Sequence, residues 1–109
     1  MKITFQDKED ASIIIFNGEF SVFFQEEIEN NIFSKINEGK RNIVFDLSKV
    51  NYLDSSGISI IVTTAQKIKQ KVRLIGCQPN VKYVLDLAEI DAVIDYCETM
   101  EEAVNSFKN

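Results

Sequence analysis

The 109-residue sequence contains no histidine, no tryptophan, one proline, two cysteines and four glycines. Each shortage removes a class of chemistry. Without histidine there is no Ser–His or Cys–His nucleophile pair and no imidazole metal ligand. Cys77 and Cys97 cannot build a four-cysteine zinc site, and no histidine is present to complete a mixed one. They read as two free, half-buried thiols in a reducing compartment. Gly18, Gly39, Gly57 and Gly76 form neither G-x-G-x-x-G nor G-x-x-x-x-G-K-[ST], so dinucleotide and P-loop sites lack their motif. No G-x-S-x-G elbow is present either. Basic residues are outnumbered, 12 against 17, for a net charge of −5, which disfavours a phosphate-tracking surface and direct nucleic-acid binding. No apolar run approaches the roughly 20 residues that span a bilayer. The polar segment Gln6–Asp10, directly after Met1–Phe5, leaves no signal-peptide core. The expectation is a cytoplasmic protein that is not an enzyme and uses no cofactor, metal, nucleic acid or membrane.

What is present suits a single domain over residues 1–109. Hydrophobic residues make up 45% and charged residues 27%, an ordinary balance for a globular chain able to fold on its own core. Two periodicities alternate along it. Lys2–Gln6 puts Ile3 and Phe5 on one face, Asp7–Ala11 is a polar turn, and Ser12–Asn17 is an apolar run typical of a strand covered on both faces. The pair predicts a hairpin. From Ser21 to Asn37 the residues Phe24, Ile28, Ile32 and Ile36 recur every four positions, with Ser21 as N-cap and Gly39 as stop. Asn42–Leu47 is a further buried strand, followed by a short loop and a helical stripe of Ile58, Ile61, Val62, Ala65 and Ile68. Val72–Ile75 and Ala92–Tyr96 read as strands. Pro79 opens a helix between them, and Thr99 with Glu102 forms a capping box for the last helix. The order β-β-α-β-α-β-α-β-α predicts an α/β domain with a mixed, mostly parallel sheet of about five strands and about four helices.

The chemically informative stretch is Asp54-Ser55-Ser56-Gly57, between a buried strand and a helix. In α/β folds the loop at the carboxyl end of a strand is where function collects. Unpaired N–H groups at a helix start stabilise an anion, so a phosphoserine there gains donors. It also adds about −1.5 to −2 charges beside Asp54. A partner docked on neutral Ser55 would then face a desolvated dianion, which is a physical basis for a binding switch. The competing structural reading is a turn and helix cap with no function, since Asp, Ser and Gly are common in both.

Over nearly its whole length the chain resembles the STAS domain, specifically the anti-sigma factor antagonists. The resemblance rests on Asp46-Leu47-Ser48-Lys49-Val50-Asn51-Tyr52-Leu53-Asp54-Ser55-Ser56-Gly57, on Gly18-Glu19-Phe20-Ser21 upstream, and on Pro79-Asn80-Val81-Lys82-Tyr83-Val84-Leu85 downstream. It implies a partner switch. An unphosphorylated antagonist binds an anti-sigma factor that is also a serine kinase, the kinase phosphorylates the first hydroxyl of the motif, and a serine phosphatase resets it. Ser55 is then the phosphoacceptor, with Ser56 the second candidate. Asp54 organises the loop, Ser56 caps the helix and Gly57 allows a partner to approach. Glu19 and Ser21 join the partner contact. Two positions depart from the family pattern: Ser21 replaces an acid and Ser59 replaces a glycine.

Two alternatives accompany this. A STAS scaffold or accessory subunit of a signalling or transport assembly would use the same fold without a switch. A response-regulator receiver would accept phosphate on Asp46, but it needs an acidic pair after its first strand to hold Mg²⁺. Here the first strand feeds a hairpin.

Overall fold

The computed structural model describes residues 1–108. Strands β1 (Lys2–Lys8), β2 (Ala11–Phe20), β3 (Ile43–Leu53), β4 (Val72–Ile75) and β5 (Ile94–Cys97) alternate with helices α1 (Gln25–Asn37), α2 (Ser55–Ile68), α3 (Pro79–Leu87) and α4 (Met100–Asn105). The sheet order is β1-β2-β3-β4-β5. Pair β1–β2 is antiparallel, and β2–β3, β3–β4 and β4–β5 are parallel. The expected α/β class and element order are both present. Strands running in sequence order also exclude the receiver topology, whose order is 2-1-3-4-5.

The two sheet faces are covered unequally. Helices α1, α2 and α3 place Ile28, Ile32, Ile61, Ile68, Val81 and Leu85 over Ile14, Phe16, Phe45, Leu47 and Leu74. Among the described residues, helix α4 alone covers the other face, with Ala103 and Val104 against Ile13, Val44 and Ile75. This explains the unbroken apolar runs in β2 and β3, which pack on both sides. Phe16 is the aromatic centre. Its ring meets Phe20 at 4.9 Å and Phe45 at 5.1 Å, both edge-on.

Besides β2, which runs through Gly18 to Phe20 instead of ending at Asn17, and β5, which spans Ile94–Cys97 instead of Ala92–Tyr96, three boundaries differ from the sequence expectation. The hairpin turn is only Glu9–Asp10, with Glu9 at φ 54°, so β1 continues to Lys8. The first helix is preceded by a 3₁₀ turn, Val22–Phe24, and α1 proper begins at Gln25. The third difference matters most. Strand β3 does not stop at Leu47 before a loop but continues to Leu53, paired with β2 as far as Phe20. Two register shifts, between Ile15 and Asn17 and between Gly18 and Glu19, bend this section. Its buried residues, Leu47, Val50 and Leu53, therefore recur every third position rather than every second. A period-two reading cannot recognise that as a strand.

Candidate functional site

The extension of β3 delivers Asp54 to the end of the sheet, next to the end of β2. Phe20 and Leu53 are register partners, and the Asp54 N–H donates to the Phe20 carbonyl at 3.4 Å. Asp54 has an extended backbone and is the N-cap of α2. Its Oδ1 accepts the N–H groups of Ser56 (3.0 Å) and Gly57 (3.1 Å). Its Oδ2 accepts the Val22 N–H at 3.1 Å. One carboxylate thus holds the start of α2 and the 3₁₀ turn before α1.

Ser55 is the first residue of α2 and is exposed, and Ser56 beside it is half-buried. Ser59, one helical turn on, is exposed as well. The N–H groups of Ser56 and Gly57 are already occupied by Asp54. A phosphate on Ser55 would meet the carboxylate seated on those donors, so the repulsion beside Asp54 works against the capture expected from sequence.

The expected roles of three neighbours are corrected by this geometry. Ser56 does not cap the helix, because Asp54 is the cap. Gly57 is buried and opens no room for a partner. A Cβ there would lie 2.4 Å from the Phe20 carbonyl oxygen, 2.9 Å from its ring and 3.0 Å from Leu53. The glycine serves the close approach of α2 to the chain's own β2 end. Ser21 is fully buried, and its side chain makes no cap bond. Its hydroxyl has no hydrogen-bond partner among the described residues. It stands at the N-cap position of the 3₁₀ turn, as expected, but only its backbone carbonyl serves the turn, and its buried side chain offers no surface for contact. Glu19, by contrast, is exposed and lies opposite Tyr52, itself 48% exposed.

Sequence reading missed Val22 and Phe23. They precede the four-residue stripe and look like its irregular beginning, yet both are exposed. The signal was available: two bulky apolar residues directly before Phe24 cannot all share one helix face.

Other candidate features are engaged elsewhere. Asp46 Oδ1 accepts from the Ser48 N–H (2.9 Å) and hydroxyl (2.7 Å). The basic residues from the last turn of α2 onward are dispersed. Lys67 lies over the Phe33 ring, Lys71 pairs with Asp95 at 3.5 Å, and Arg73 lies over Phe107 while bonding Ser106 and Gln70. Cys77 and Cys97 are free and half-buried, and both line a cleft of about 560 Å³ between α3 and α4. Burial pushes the Cys77 thiol up to about 11 and raises Cys97 as well, the opposite of what a nucleophilic thiol requires.

The STAS domain family model matches residues 2–103. The chain belongs to the STAS domain family. BtrV of Bordetella bronchiseptica, named as an anti-sigma factor antagonist, is 23% identical to this STAS domain, over 99% of this chain and 96% of BtrV. A Thermotoga maritima structure named in the same class superposes with a TM-score of 0.90 at 22% identity, covering 98% of this chain and 95% of the other. The anti-sigma factor antagonist SpoIIAA in its unphosphorylated form gives 0.73 at 18% identity over 99% of each chain. The phosphorylated form of the Bacillus SpoIIAA gives 0.72 at 18%, over 98% of this chain and all of that one. These likenesses establish the fold of this STAS domain. Among its described residues, no helix is long and apolar enough to cross a membrane.

Proposed function

We propose that this chain is a cytoplasmic anti-sigma factor antagonist, without catalytic activity of its own, that works as a phosphorylation-controlled partner switch. The observation that carries the reading is the placement of Ser55. It is an exposed hydroxyl on the first turn of α2, at the carboxyl end of the longest strand, with its loop held by Asp54. Unphosphorylated, this surface binds an anti-sigma factor that is also a serine kinase. The kinase transfers the γ-phosphoryl group of ATP to the Ser55 oxygen, which gives up its proton, and ADP leaves. The phosphoserine then sets about −1.5 to −2 charges beside the Asp54 carboxylate, and the desolvated interface no longer tolerates them. A serine phosphatase returns the hydroxyl. BtrV carries the antagonist name, and SpoIIAA has been described in both phosphorylated and unphosphorylated forms, which supports the same cycle here.

A pull-down from native lysate with wild-type, Ser55→Ala and Ser55→Glu baits tests this, with bound proteins and bait phosphorylation read by mass spectrometry. A kinase-type anti-sigma factor retained by wild type and Ser55→Ala but lost with Ser55→Glu, together with phosphate on Ser55, is the expected result. Retention of one partner by all three baits, without phosphate, would establish instead a non-switching scaffold or accessory subunit. The buried Ser21, standing where the family often has an acid, is the observation that favours this second reading.

A further inference from the structure

Two of the large hydrophobic side chains left in solvent are adjacent and lie beside the Ser55 loop. Val22 is 56% exposed and Phe23 84%. An isolated exposed apolar residue needs no explanation. These two differ in being held in place. The Val22 N–H is bonded to Asp54 Oδ2, and the Phe24 N–H donates to the Ser21 carbonyl at 3.1 Å, closing the 3₁₀ turn that presents them. An aromatic ring presented on a fixed turn loses little freedom when it is captured.

The surroundings define the occupant. Glu19, Glu26 and Glu27 are exposed around the turn, and none of them forms an ion pair among the described residues. No Lys or Arg occurs between Glu19 and Ser34. A surface of this kind is repelled by an anionic membrane and attracted to a basic protein face.

We propose that Phe23, flanked by Val22, is the apolar anchor of the partner interface, inserting into an apolar pocket rimmed by Lys and Arg on the anti-sigma factor. This rests on the function proposed above and goes beyond it by naming the contact. Because Asp54 holds both the turn and the start of α2, the anchor and Ser55 belong to one continuous surface, and a charge placed on Ser55 acts within the same interface.

The test is the affinity of the purified anti-sigma factor of the source organism for four variants, with wild type as reference. Phe23→Ala is expected to weaken binding by about 30-fold or more, as for a central aromatic hot spot. Its melting temperature should stay at the wild-type value because the ring is in solvent. Glu26→Lys combined with Glu27→Lys is expected to weaken binding and flatten its salt dependence. Leu87→Ala, 65% exposed on α3, is the control and should leave affinity unchanged. Binding of Phe23→Ala within about threefold of wild type would overturn the anchor. Ser55→Glu, measured alongside, separates the two claims. If it fails to bind while Phe23→Ala binds normally, only the anchor falls. If it binds normally while Phe23→Ala does not, the anchor stands and the switch falls.

Discussion

Asp54 and Val22 are 32 positions apart, yet an Asp54 carboxylate oxygen accepts the Val22 backbone N–H at 3.1 Å. The other oxygen of the same group accepts two N–H donors at the start of α2. Two elements that arrive from different crossovers are therefore joined by a single side chain. Charge-assisted bonds of this kind are stronger than neutral ones.

Replacing Asp54 with alanine strands three backbone donors. Loss of an N-cap costs about 0.5–2 kcal/mol, and the Val22 bond adds to it, so denaturant melts should place Asp54→Ala at or above the top of that range. Amide exchange should accelerate at Val22, Ser56 and Gly57 together. Asp54→Asn, which retains an acceptor oxygen, should fall between the two. Acceleration confined to Ser56 and Gly57 would show that the Val22 bond contributes nothing.

Gly57→Ala forces a methyl group towards the Phe20 carbonyl and ring and towards Leu53. These are backbone and packed core atoms, not the ends of flexible side chains. The overpacking should cost about 1–3 kcal/mol, read by chemical denaturation. Gly39 provides the contrast. It sits at φ 93° with open space around it, so Gly39→Ala pays only for its backbone conformation.

Ser21→Ala should be neutral or stabilising. The Ser21 hydroxyl is buried without a partner among the described residues, so its removal breaks no hydrogen bond there and spares a desolvation cost of about 1–3 kcal/mol. A destabilised Ser21→Ala protein would mean that the hydroxyl finds a partner in solution.

Cys77 should alkylate slowly at neutral pH, with iodoacetamide labelling rising only as pH approaches about 11. Burial holds its folded pKa above the ordinary thiol value, so native protein keeps the proton where unfolded chain has lost it. The stability this confers is complete below about pH 9 and is lost as pH climbs to about 11. Alkaline denaturation should therefore be steeper for wild type than for Cys77→Ala, and identical pH slopes would refute the shift.

Much of the architecture was legible in local pattern. The four-residue spacing of Ile28, Ile32 and Ile36 marks α1, and Pro79 stands at the first position of α3. Thr99 accepts the Glu102 N–H at 3.0 Å as its capping motif predicts. The second half of that box is displaced, since the Glu102 carboxylate accepts from the Glu98 N–H at 3.2 Å. Where reading failed, neighbours decided. The section of β3 from Ser48 to Leu53 follows the bulged register with β2, and no residue within it announces that register.

Local pattern carried the order of strands and helices, the family resemblance and Ser55 as the candidate hydroxyl, because hydrophobic periodicity and a short motif are local properties. Tertiary contacts settled that the Asp54 cap also holds Val22, why Gly57 must lack a side chain, that Ser21 is buried and that Phe23 is not. Each of these depends on bringing the end of β2 against the end of β3, and a contact between residues 32 positions apart leaves no periodic trace in the chain.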